Sequence, residues 1–106
     1  MNRKFLQFTI GAASSLVKTL MSANADYFIT MPTDSTLKFH AYAAHAGSDE
    51  ITITFTTADT TYASHYAVIN ALALANSAAS APTAIIVPAL PMVGATQQLI
   101  TGITFN

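Results

Sequence analysis

The chain has no cysteine and no tryptophan, and of its 106 residues only four are Lys or Arg and five Asp or Glu. Without cysteine there is no disulfide framework, no thiolate zinc site and no cysteine nucleophile. Charged residues make up 8% of the chain, against about 25% in an ordinary soluble domain. The four basic residues, Arg3, Lys4, Lys18 and Lys38, are too few and too scattered to neutralise a run of phosphates, so the sequence offers no nucleic-acid stripe. Glycine is also scarce, at four residues, and neither a P-loop nor a G-x-G-x-x-G turn occurs. The G-x-S-x-G elbow of a serine hydrolase is missing too.

From Thr60 to Asn106 there is no formally charged residue at all. A membrane-spanning helix needs about 20 mostly apolar residues in a row. Here Asn70, Asn76, Ser77, Ser80, Pro82, Pro88 and Pro91 interrupt every candidate, and no membrane association is expected. The start, Met1-Asn2-Arg3-Lys4 followed by Phe5 and Leu6, has the charge of a signal peptide. Its apolar stretch is short and is broken by Gln7, so no secretion is expected.

What is abundant is apolar: 52% of residues, enough for a hydrophobic core in one domain covering residues 1–106. Leu6, Phe8 and Ile10 alternate with Gln7 and Thr9, which predicts a first strand over Lys4 to Ile10. Gly11 to Asn24 reads as strand or irregular structure, and Tyr27 to Met31 as a short strand closed by the turn chemistry of Pro32 and Asp34. The clearest unit is a hairpin. Leu37, Phe39, Ala41 and Ala43 alternate with Lys38, His40 and Tyr42, and Ile51, Ile53 and Phe55 alternate with Thr52, Thr54 and Thr56.

Asp59, Thr60 and Thr61 are candidate caps for an amphipathic helix near residues 61–79, because a side-chain oxygen there can accept from the first-turn N–H groups. Its spacing places Tyr62, Tyr66, Ile69 and Ala73 inward with Val68, Leu72 and Ala75, and leaves Ser64, Ala67, Asn70, Ala71, Leu74 and Ser77 on an outer face of small residues. Thr83 to Val87 then reads as a short buried strand whose end Pro88 places at a sheet edge, Pro91 and Gly94 as a loop, and Leu99 to Phe105 as a closing strand with Thr101, Ile103 and Phe105 on one face. The expected fold is α+β and mainly antiparallel: a small barrel or a sheet of about six to seven strands, with one helix.

Candidate chemistry is sparse. His40, His45 and His65 are the only imidazoles, and their spacing fits no metal site. Ser64 and His65 are adjacent, so on a helix they diverge and form no dyad. Asp49 and Glu50 share a turn and Asp59 is better used as a cap, which leaves no pair of carboxylates facing across a cleft. The chain therefore reads as non-enzymatic and without cofactor. Low charge instead points to surfaces that bury against other copies, as interface cores are poor in charge. The expected contacts are Phe5 and Gln7 on the first strand, Gly102 and Thr104 on the last, and Ala67, Asn70, Ala71 and Leu74 on the helix. Both strands are expected to be sheet edges in need of a partner. Lys38, His40 and Tyr42 share one strand face and form the alternative ligand surface.

The Arg3-Lys4-Phe5-Leu6 start, the Thr-rich hairpin and the late Ala-rich helix resemble short virion-associated proteins of tailed phages from marine bacteria. The resemblance rests on element order and composition. It implies a structural subunit of a particle, such as a decoration protein, located in the virion and working through repeated contacts in a capsid or tail lattice. Without that resemblance, a cytoplasmic location is the default. Leu99-Ile100-Thr101-Gly102 is also similar to the closing hydrophobic-Ile-Arg-Gly strand of Sm-like barrels. Thr101 stands where that family has its RNA-contacting arginine, and the family's asparagine pocket has no counterpart. This second likeness implies a ring-forming barrel that binds nucleic acid or a small ligand.

Overall fold

A computed structural model describes residues 3–10, 17–23, 27–41, 50–77 and 83–105. The elements in order are β1 (Arg3–Ile10), β2 (Val17–Ser22), β3 (Tyr27–Thr33), β4 (Thr36–Ala41), β5 (Glu50–Phe55), α1 (Ala63–Ser77), β6 (Thr83–Ile86), β7 (Met92–Val93), β8 (Thr96–Gln97) and β9 (Ile100–Phe105). Seven strands form one sheet in the order β2-β1-β9-β5-β4-β3, with β6 pairing β1, and β7-β8 form a separate small ribbon. The architecture is α+β and mostly β, with one helix. Because, among the described residues, β2 and β3 each pair on one side only, the sheet does not close and the barrel alternative is corrected to a sheet.

Most neighbours are antiparallel, as the alternating hairpin requires: Leu37 faces Ile53 and Phe39 faces Ile51 across β4 and β5. Two pairings are parallel. Arg3 to Leu6 lie beside Thr83 to Ile86, and Ile10 lies beside Ile100. The expectation that Lys4 to Ile10 forms a sheet edge is therefore wrong: β1 has β2 on one side and β6 and β9 on the other. Local alternation predicts a strand but carries no information about pairings some 80 residues away. β9 is flanked by β5 over its length and meets β1 at Ile100.

The core unites Leu6 and Phe8 of β1, Met21 of β2, Leu37 and Phe39 of β4, Ile53 and Phe55 of β5, and Ile100 of β9 with Val68, Ala71 and Ala75 of α1. For β1, β4 and β5 these are the inward positions of the predicted strands. A register shift between Thr54 and Phe55 opposite β9 changes one detail: Ile100 is the buried residue and Thr101 is exposed, because a bulge reverses the side-chain parity on either side of it. β6 differs from expectation in burial, with Ile85 exposed and Ile86 packed against the core. The loop expected around Pro91 and Gly94 is a two-stranded ribbon whose turn uses Gly94 at φ +62°, a conformation that favours glycine.

The helix is rotated from its expected setting. Ser64, His65, Val68, Ala71 and Ala75 face inward, while Tyr66, Ala73 and Leu74 are exposed. Apolar residues occur on every side of this helix, so periodicity alone does not single out the buried face. Polar anchors at its first turn do.

Candidate functional site

The rotation of α1 originates at Asp59. Its Oδ1 accepts from the Thr61 hydroxyl (2.6 Å) and the Thr61 N–H (3.0 Å), and its Oδ2 from the Ser64 hydroxyl (2.7 Å) and the Ser64 N–H (2.9 Å). The Thr61 and Ser64 side-chain hydroxyls, and then the two backbone donors, hold this carboxyl well below the usual carboxylate range despite burial, which acts the other way. Asp59 thus serves as the cap that the sequence suggests, satisfying N–H groups that a helix start leaves open. Between them Tyr62 takes φ 61°, unusual for a bulky residue. It is secured by its N–H bond to the Asp59 carbonyl and by Tyr66 N–H donating to its own carbonyl, each at 3.0 Å.

Gln98 extends this latch to the sheet. Its Nε2 donates to the Thr57 carbonyl (2.6 Å) and to Ser64 Oγ (3.1 Å), and its Oε1 accepts from Thr57 N–H (3.0 Å) and Leu99 N–H (3.1 Å). The amide imitates a strand neighbour for Thr57, and the side chain is buried. His65, also buried, donates from Nε2 to the Thr33 carbonyl at 3.0 Å, since a carbonyl can only accept. Its Nδ1 has no partner, and its ring packs against Phe55 and Tyr62. The proton of Ser64 is committed to Asp59 and its oxygen to Gln98, so this cluster of Asp, Ser and His positions a helix and presents no nucleophile. Sequence reasoning missed Gln98, because nothing local distinguishes a glutamine that will be buried 41 residues from its partner.

The outer side of α1 is different in kind. Tyr66, Ala67, Asn70, Ala71 and Leu74 form one wall of a groove of about 600 Å³, and Ile86, Val87, Ala89 and Pro91 form much of the other. Four of the expected contact residues, Ala67, Asn70, Ala71 and Leu74, meet here. Ala71 itself is only 3% exposed, so it belongs to the core and supplies the floor instead of the outer face. The rims are apolar and open: Leu74 is 59% exposed, Val87 57% and Tyr66 50%. Among the described residues, none that lines the groove carries a formal charge.

The other expected contacts lie elsewhere. Gln7 borders a smaller cleft of about 130 Å³ with Phe8, Leu90 and Leu99. Phe5 alternates with the core positions of β1 and is partly exposed. Thr104 pairs with Thr52 and Gly102 with Thr54, alternating with the core-facing Ile53 and Ile103, and neither lines the groove. The structure thus brings together the helix set and not the strand set.

Of the alternative ligand surface, Lys38 and His40 share a face, and Tyr42 lies outside the described residues, as do His45 and Asp49. Lys38 Nζ is 3.0 Å from Glu50 Oε1, His40 Nδ1 is 3.6 Å from Glu50 Oε2, and His40 Nε2 is 3.0 Å from Thr30 Oγ1. Phe28 stacks on the His40 ring at 4.5 Å. Glu50, expected to share a turn with Asp49, instead begins β5 opposite His40. Among the described residues no group of three His, Asp or Glu is placed to hold a metal ion, and no helix is long and apolar enough to cross a membrane. Comparison with known proteins finds no matching family model, no matching curated protein and no matching solved structure.

Proposed function

We propose that this protein is a non-enzymatic assembly subunit that acts by packing against copies of itself, with the outer groove of α1 as its contact surface. The observation that carries this reading is the groove: side chains at its rims are half exposed or more, and its described lining contains no charge. A free surface of that kind loses about 25 cal/mol for every Å² of apolar area left in water. The matching occupant is a second identical face. A charged partner would strand its own charges against it, whereas an uncharged face meets an uncharged face without desolvation cost of that kind. A specific interface needs about 500 Å² from each partner, a small part of the 6054 Å² that the chain exposes. The resemblance to virion-associated proteins of tailed phages makes a particle lattice the setting in which such packing is useful.

The alternative, a ring-forming module binding nucleic acid or a small ligand through Lys38, His40 and Tyr42, has less support. Lys38 is already held by Glu50, and His40 is covered on one face by Phe28.

The test is native mass by light scattering behind a sizing column at high and low concentration, for the natural chain and for Leu74→Lys. A discrete multiple of 11.1 kDa that Leu74→Lys reduces to monomer is the expected result. A natural chain that is monomeric at both concentrations overturns the proposal.

A further inference from the structure

Three adjacent strands bring a hydroxyl, an imidazole and a carboxylate into one line. Phe28 and Thr30 of β3 lie across from His40 and Lys38 of β4, and His40 lies across from Glu50 of β5. Leu37 and Phe39 belong to the core, so alternation puts Lys38 and His40 on the other face of β4. There Thr30 Oγ1 is 3.0 Å from His40 Nε2, and His40 Nδ1 is 3.6 Å from Glu50 Oε2. Two neighbours steady this line: Lys38 Nζ donates to the other Glu50 oxygen at 3.0 Å, and Phe28 stacks on the imidazole at 4.5 Å with the rings 8° apart.

The contacts assign the ring proton. A carboxylate can only accept, so the imidazole turns its N–H toward Glu50 at Nδ1 and is left with a bare acceptor at Nε2. The Thr30 hydroxyl is then the donor in its bond to His40. That order, hydroxyl to imidazole to carboxylate, is the arrangement that activates a hydroxyl as a nucleophile. His65 differs, because its Nε2 donates to the Thr33 carbonyl.

We propose that Thr30 is a covalent modification site, which takes one acyl group per chain from a small activated ester. Thr30 Oγ1 attacks the acyl carbonyl carbon, its proton passes to His40 Nε2, and the alcohol part of the donor departs with the electron pair of the broken C–O bond. His40 then passes the proton to water, and an ester remains on Thr30. Glu50 is a positioning residue that orients the ring and offsets the charge it gains. Thr30 is exposed and Phe28 is 44% exposed, so the donor has open access and an apolar surface beside the hydroxyl. None of these residues lines the α1 groove, and the site is independent of self-association.

The test uses p-nitrophenyl acetate on the natural chain, followed by digestion and mass mapping of acetyl groups. Expected is an ester at Thr30 that hydroxylamine removes, formed about a hundredfold faster than at Thr56, an exposed threonine with no imidazole on it among the described residues. Thr30→Ser keeps the ester and Thr30→Val loses it, while His40→Gln slows Thr30 to the rate of Thr56. Glu50→Gln slows it as well, and Glu50→Asp restores part of the rate, with Thr56 labelled equally in every variant. Acetyl groups confined to lysines and the amino terminus of the natural chain overturn the proposal. So does a Thr30 ester that forms as fast in His40→Gln as in the natural chain.

Discussion

The two sides of α1 place different demands on their surroundings. At its N-terminal, inward side nearly every polar group is answered: Asp59 accepts four hydrogen bonds, Ser64 donates one and accepts one, and the Gln98 amide closes on Thr57. At its outward side Leu74 and Tyr66 are exposed, with no cover among the described residues. The contrast shows that polar burial here fixes where the helix sits, whereas its small outer residues keep an apolar surface accessible.

Removing the inward anchor has the largest expected effect. Asp59→Ala leaves two backbone donors and two hydroxyls without their acceptor and is expected to cost about 2–3 kcal/mol, read as a lower urea midpoint at unchanged slope. If the midpoint moves by less than about 0.5 kcal/mol, the latch does not hold the helix. Acid should act on the same group. The folded-state carboxyl of Asp59 is depressed below its unfolded value, so its contribution is fully present above the ordinary carboxylate range. It is lost as pH falls below about 4. Stability measured from pH 6 to 2 should decline less in Asp59→Asn, which has no carboxyl to protonate.

The outward side should respond in the opposite sense. Leu74→Lys is expected to weaken association at least tenfold, about 1.4 kcal/mol. Unfolding of the monomer should change by no more than about 0.5 kcal/mol, because the residue is exposed there. A matching loss of monomer stability would mean that Leu74 belongs to the fold, and the contrast between the two sides would disappear. The smallest effect is expected at Lys38. Its bond to Glu50 is partly exposed on both sides, and such pairs contribute about 0–1 kcal/mol; Lys38→Met should leave the urea midpoint nearly unchanged and should not alter association.

Much of the fold was legible locally. The alternation of Leu37, Phe39, Ile51, Ile53 and Phe55 predicted a hairpin whose residues face the core as expected, because a period of two needs only neighbours to express itself. Asp59 was legible as a cap for the same reason. What depended on distant partners was not. The parallel neighbours of β1, the burial of Gln98 and the inward turn of Ala71 are set by residues from other parts of the chain, and a helix apolar on all sides offers no period to read. The groove was half visible: its helix wall was named from small residues, while the wall built by Ile86, Val87, Ala89 and Pro91 required the fold.

The parallel neighbours of β1 also dictate an order of events. Strands β3, β4 and β5 are joined through short sequence separations and can zip together from local contacts. β1 can gain β6 and β9 only after a loop of some 80 or 90 residues has closed, and closing long loops delays folding more than it weakens the folded state. The first strand of the chain should therefore be among the last parts of the sheet to be locked in place. Pulse-labelled hydrogen exchange during refolding should find the amides of Leu37 and Ile53 protected before those of Lys4 to Leu6. Until that closure, one side of β1 is an open edge, so β6 of a neighbouring copy has a window in which to take the place of its own, and folding and misassembly compete for a single strand.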